Sequence, residues 1–267
     1  MRGHHRTAGS RRQVLRGLRG LVLSLGFAAG LVPARASVPC ETIEHRGARH
    51  IVCTVDLDRH DLRLFLNGDG GTPLGSFAAL RDVIEADGLA LAFGMNGGMY
   101  HEDRSPVGLY VEDGVETQGL VTGDGPGNFH LLPNGVFAWN EDRAIVRETG
   151  AFAESPPDVT HATQSGPMLV IDGDLHPRFL ADGTSRKIRN GVGVRDDGRT
   201  VVFAISRDRV NFHDFGTLFR DVLRTPNALY LDGTISSLYS PTARRADGFW
   251  PMGPIIGVVE PDAASGK

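Results

Sequence analysis

Ala228-Leu229-Tyr230-Leu231-Asp232-Gly233-Thr234-Ile235-Ser236-Ser237 decides how this chain is read. Its first half is an apolar run of strand type, and its second half is a sharp polar turn. A buried strand that ends in Asp-Gly and runs on into Ser-Ser forms a rigid shelf, with one acid beside backbone N–H groups. Such a shelf suits a polar substrate held at the edge of a sheet. Taken alone, an Asp-Gly turn that only caps a strand explains the same residues. Three other polar, glycine-marked stretches favour the first reading.

The first of these runs from Gly94 to Gly108. Strand Leu89–Met95 ends in Asn96-Gly97-Gly98, whose N–H groups form a nest suited to an anion. His101, Glu102, Asp103 and Arg104 crowd the adjoining loop. Consecutive residues rarely converge on one metal ion, so no metal site is expected here. The second stretch is Thr163-Gln164-Ser165-Gly166-Pro167, directly before strand Met168–Ile171. Its hydroxyl and amide groups either meet a sugar or phosphate, or bond to local backbone. The third, Arg186-Lys187-Ile188-Arg189-Asn190-Gly191, places three cations before a glycine-bearing strand, where Arg189 is suited to bidentate phosphate recognition. Asp208 and Asn211 read as helix caps. No Gly-x-Ser-x-Gly elbow and no GxGxxG opening a helix is present.

Around these stretches the pattern is one of short strands. His50–Asp56, Leu62–Leu66, Leu89–Met95, Val107–Glu112, Val115–Gly119, Phe129–Leu132, Val136–Asn140, Ala144–Glu148, Met168–Ile171, Val192–Arg195, Val201–Ser206, Ala228–Leu231 and Ile255–Val259 all read as strands. Two helices are expected. One carries Phe77, Leu80 and Ile84 on a single face; the other carries Phe212, Phe215, Leu218, Phe219, Val222 and Leu223 and ends before Pro226. Hairpin connections between most strands predict an α+β class: a single domain of mixed, largely antiparallel β-sheets flanked by a few helices.

Residues 1–36 read as an export signal. Six arginines precede an uncharged run from Gly20 to Val32, too short to span a bilayer, and Ala34-Arg35-Ala36 gives a small-x-small cleavage site. Ser10-Arg11-Arg12-Gln13-Val14-Leu15 resembles a twin-arginine motif, with an ordinary secretory signal as the alternative. The segment carries seven of the 28 basic residues and no acid. Residues 37–267 therefore set 21 basic residues against 32 acidic ones, a net charge near −11. That balance argues against a nucleic-acid partner. A periplasmic or secreted protein with no transmembrane anchor after signal removal is expected. Cys40 and Cys53, an even pair without CxxC spacing, are read as one disulfide pinning the first hairpin.

Asn96-Gly97-Gly98-Met99-Tyr100 with Pro106-x-Gly108, Ser165-Gly166-Pro167, Arg189-Asn190-Gly191-Val192-Gly193, and Leu231-Asp232-Gly233 with Ser236-Ser237 occur in register. Together they resemble the phosphodiester glycosidase domain family, in a branch of exported bacterial proteins. The resemblance spans roughly His50 to Val259. It departs at Thr234-Ile235, where the family commonly carries glycines, and at Asn190-Gly191, where the family often carries Thr-Ala. Ile235 narrows the approach to the backbone.

The resemblance implies hydrolysis between a sugar's anomeric carbon and a phosphodiester oxygen. Envelope or exopolysaccharide glycans are the expected substrate, and no cofactor is expected, with a divalent ion as the alternative. The leaving phosphate monoester has a second pKa near 6, so one carboxylate acting as base or nucleophile is enough. Asp232 takes that role, with Glu102 as second carboxylate. Arg189 and the Asn96-Gly97-Gly98 amides hold phosphate. Ser165 or Ser236 contacts sugar hydroxyls, and Gly166, Asn190 and Gly233 complete the substrate-binding set. The alternative is a non-catalytic binder of envelope glycans or glycophosphates, which has no need for Asp232 and Glu102 to converge.

Overall fold

The computed structural model describes residues Ser37–Asp262; the signal expected over 1–36, and residues 263–267, lie outside the described residues. Strands dominate, and every pair of named strands is antiparallel. They form three sheets. The largest orders its strands Cys40–His45, Ala48–Asp56, Thr200–Ser206, Asn190–Val194, Asn227–Asp232, Met168–Ile171 and Asp174–Leu175. A second runs Arg245–Ala246, Leu238–Ser240, Leu89–Asn96, Ile255–Pro261 and Asp61–Phe65. The third runs Val115–Gln118, Tyr110–Glu112, His161–Ser165, Gly135–Trp139 and Ala144–Glu148. This is the α+β architecture expected from the hairpin pattern.

Alternation explains why Asn227–Asp232 lies inside the large sheet. Leu229 and Leu231 join a core fed by all three sheets, alongside Phe93, Phe137 and Phe203. Ala228 and Tyr230 point to the opposite face, where Phe215, Leu218 and Phe219 cover the sheet. A strand buried on both faces reads as a continuous apolar run, which is what its sequence shows. Helix Phe77–Ala86 begins at Ser76, whose hydroxyl accepts the Ala79 N–H, and buries Phe77, Leu80 and Ile84 against the second sheet. Asn211 caps the helix beginning at Phe212, as expected. Cys40 faces Cys53 across the first hairpin and is bonded to it.

Three expectations are corrected. Phe129–Leu132 is a turn-rich loop rather than a strand, and only Phe129 is buried within it. Thr163–Ser165 is the end of a buried strand rather than a loop before one. Val222 is exposed. The helix widens after Thr217 so that the Leu223 N–H reaches the Leu218 carbonyl five residues back, which turns Val222 outward while Leu223 stays buried.

Candidate active site

The turn after Asn227–Asp232 is shaped by a bulge. Gly191 opposes Tyr230 and Asn190 opposes Asp232, so Leu231 is an extra residue in the pairing. Ser165 Oγ donates to the Leu231 carbonyl at 2.8 Å, satisfying a group near the disrupted ladder. Asp232 then folds its carboxylate back onto the turn, where Oδ1 accepts the N–H groups of Gly233 and Thr234. A Cβ at Gly233 would collide with Tyr230 Oη, so only glycine fits there.

Two buried asparagines hold this turn. The Asp232 N–H donates to Asn190 Oδ1 at 3.0 Å, and the Ser237 N–H donates to Asn96 Oδ1 at 2.9 Å. Asn190 Nδ2 donates to Asn96 Oδ1, and Asn96 Nδ2 reaches Asn190 Oδ1 at 3.4 Å. Asn96 ends a strand of the second sheet and Asn190 begins one of the large sheet. The pair therefore fastens two sheets together beneath the Asp232 turn.

Asp232 opens into a cleft of about 840 Å³ whose lining also includes Tyr100, His101, Glu102, Arg104 and His130. Asp232 is 7% exposed, and burial pushes its carboxyl up to about 6; the N–H groups of Thr234, Gly233 and Ile235 pull the other way. A carboxyl near 6 exchanges protons readily at neutral pH. Burial also raises the Tyr100 hydroxyl, the Asp232 charge adds to that rise, and Arg104 opposes it. Tyr100 Oη donates to the Pro251 carbonyl at 2.8 Å, and the Arg104 guanidinium lies 5.2 Å from the centre of the Tyr100 ring. His130 Nδ1 donates to the Gly123 carbonyl at 3.0 Å, which fixes the ring against the loop.

Asp232 and Glu102 are thus brought to one cleft, Glu102 on its exposed rim. Other expected residues lie elsewhere. Arg189 is 1% exposed: Nε donates to the Val210 carbonyl and Nη2 to the Ser185 carbonyl, and its guanidinium lies 3.6 Å from the centre of the Phe212 ring. It packs behind the sheet rather than lining the cleft that Asp232 enters. The Gly97 N–H donates to the Pro254 carbonyl at 2.6 Å and is not open to an anion. Gly98, at φ +150°, sits against Thr163, whose hydroxyl donates to the Gly97 carbonyl. Ser165 and Gly166 are buried, Ser165 at the bulge and Gly166 against Asn134 and the Phe129 carbonyl. Ser236 Oγ faces the Asp232 and Ile188 carbonyls and borders a neighbouring pocket together with Gly233.

Sequence reasoning missed the wall formed by Pro126 to His130, which it read in part as a strand. The signal was the glycine-rich run Gly123-Asp124-Gly125-Pro126-Gly127, which marks a loop. Among the described residues no group of three or more His, Cys, Asp or Glu side chains is placed to hold a metal ion.

A family model described as phosphodiester glycosidase matches residues 90–259, which carry the bulge, both asparagines and the Asp232 turn. The chain belongs to the phosphodiester glycosidase family. It is a glycosidase-type hydrolase by that membership. A relative in Escherichia coli strain K12, the uncharacterized protein YigE, is 37% identical over 186 residues, covering 70% of this chain and 72% of that protein. Two solved structures share the fold. The zebrafish N-acetylglucosamine-1-phosphodiester alpha-N-acetylglucosaminidase catalytic domain, auto-inhibited by its pro-peptide, aligns with a TM-score of 0.55 at 11% identity, over 83% of this chain and 82% of that one. A putative exported protein from Burkholderia pseudomallei K96243 aligns with a TM-score of 0.54 at 14% identity, over 79% and 74%.

Proposed function

We propose that the protein is an exported hydrolase that cleaves a sugar-1-phosphodiester in envelope or exopolysaccharide glycans. One observation carries the reading: a buried carboxyl with a pKa near 6 and a second carboxylate open into the same cleft. Asp232 acts as base or nucleophile toward the anomeric carbon, and its fixed turn keeps it aimed. Glu102, on the solvated rim, is the second carboxylate. Arg104 takes the phosphate role first expected of Arg189, because it is the arginine lining the cleft. The bond from sugar carbon to phosphate oxygen breaks, water supplies the new hydroxyl, and the phosphate monoester leaves as a stable anion. That leaving group needs little acid assistance, so the reaction is proposed to proceed without a metal cofactor.

Export rests on the arginine-rich leader and on the Cys40–Cys53 disulfide, which suits an oxidising compartment; the fold shared with the putative exported protein of Burkholderia pseudomallei agrees with it. The test is release of free sugar from a panel of sugar-1-phosphodiesters by the purified mature protein beside Asp232→Asn. Turnover that vanishes in the variant supports glycosidic cleavage at Asp232. Silence in both, with saturable glycophosphate binding that survives the substitution, replaces the reading with a binding protein.

A further inference from the structure

Phe249 and Trp250 are 95% and 68% exposed, adjacent in sequence, and the only exposed aromatic side chains among the described residues. Their position is fixed. The next residue, Pro251, offers its carbonyl to Tyr100 Oη and to Arg104 Nη1, both from the cleft wall. Met252 follows, buried in the core beneath helix Phe77–Ala86, and its N–H donates to the Gly75 carbonyl. Two large apolar rings are thus held in water by a segment anchored on both the cleft and the core.

The two rings border a pocket of about 310 Å³, at the small end of ligand-binding cavities. Its other walls are mostly polar: Ser236, Ser237, and the Arg245–Asp247 pair with Nη2 to Oδ2 at 2.7 Å. Thr234 and Ile235 line both this pocket and the cleft that holds Asp232, so the two are continuous across one short ridge. A pyranose ring has apolar C–H faces and an equator of hydroxyls. It matches an aromatic platform bordered by hydroxyl, carboxylate and guanidinium groups.

We propose that Phe249 and Trp250 form the platform of a second sugar subsite, and that the substrate is a glycan chain extending at least one sugar ring beyond the scissile phosphodiester. The inference rests on the hydrolase reading for the identity of the substrate, but not for the presence of the platform. Continuity with the cleft selects the substrate's own chain as occupant over a membrane or a second copy of the protein.

Trp250 gives a direct readout, because the other tryptophan, Trp139, is buried against Phe137. Mature protein is titrated with neutral mono- and trisaccharides of hexoses and N-acetylhexosamines while Trp emission is followed. A saturable blue shift is expected, at least tenfold tighter for a trisaccharide, with the affinity falling about tenfold in Phe249→Ala (about 1.4 kcal/mol). In turnover, the ratio of KM for a monosaccharide 1-phosphate methyl diester to KM for its trisaccharide counterpart falls about tenfold in Trp250→Ala. An equal ratio in both proteins overturns the proposal. So does emission unmoved by every saccharide, moved instead by phosphatidylglycerol vesicles, or changing only with protein concentration. Absence of all turnover with the saccharide shift intact sinks the hydrolase reading and leaves the platform supported.

Discussion

Asn96 and Asn190, 94 residues apart in the chain, share a buried amide pair and hold opposite ends of the turn that carries Asp232. Each side-chain oxygen accepts a backbone N–H of that turn while the amides face each other. No apolar residue can do this. Asn190→Ala leaves the Asp232 N–H and the Asn96 amide short of partners in a buried site. It is expected to cost about 3 kcal/mol, read as a lower denaturant midpoint at unchanged m-value, and to reduce turnover far more than the lost stability accounts for.

Asp232→Asn separates stability from activity. The carboxyl titrates near 3.8 when unfolded and near 6 when folded, so the native state binds the proton more tightly between those values. Its contribution to stability is full below about 3.8 and is lost as pH rises through about 6. Removing the charge therefore stabilises the protein at pH 7.5 by up to about 3 kcal/mol, and hardly at all at pH 3.5. Asn retains the oxygen that accepts the Gly233 and Thr234 N–H groups. Melting curves of the two proteins at both pH values check this, and a gain that is equal at both would count against a raised Asp232 pKa.

The same titration shapes catalysis. If Asp232 works as a carboxylate, kcat/KM falls on the acid side with a midpoint near pH 6, set by burial of the free enzyme's carboxyl. A pH–rate profile on any cleaved phosphodiester measures it. A midpoint near 4, the ordinary carboxylate range, would count against Asp232 as the group that must ionise.

Two arginines are expected to fail in different ways. Arg104→Ala, at the cleft wall, raises KM for a phosphodiester about tenfold or more, with little change in melting temperature. Arg189→Ala removes donors to the Val210 and Ser185 carbonyls and a ring contact in a buried site. It lowers stability by about 3 kcal/mol, a melting shift of roughly 6–12 °C. Kinetics and calorimetry on both variants distinguish a substrate contact from a structural one.

Reduction of Cys40–Cys53 opens a loop of 13 residues. Loop-closure entropy puts the expected loss at about 3 kcal/mol, seen as a lower melting temperature with reductant and matched by the Cys40→Ser, Cys53→Ser double variant.

The sequence was most readable where the signal is local. The apolar run Ala228–Leu231, the Phe77-Leu80-Ile84 face and the Asp87-Gly88 stop each correspond to an observed element, because periodicity and capping depend on neighbours in the chain. Asp232 and Glu102 were likewise visible as acids in polar, glycine-marked turns. Arg189 reads as a cation at a strand start, and its burial against Phe212 and Tyr230 is not recorded in its own stretch of sequence. Asn96 and Asn190 appeared as separate ligand donors because nothing in either stretch records their pairing across 94 residues. Leu231 as a bulge, and Ser165 as its partner, follow from a register shift that strand periodicity does not encode.

The strand Ile255–Pro261 lies between Leu89–Asn96 and Asp61–Phe65, inside its sheet, although it is the last strand in chain order. During synthesis, Asn96 therefore waits for a neighbour made some 160 residues later. Until that strand has cleared the ribosome, Leu89–Asn96 has an unpaired side and the clasp under Asp232 has no firm footing. The Asp232 turn is therefore expected to settle only after Ile255–Pro261 has been made, and a nascent or C-terminally clipped molecule would carry Asp232, Asn96 and Asn190 without a paired strand beneath them.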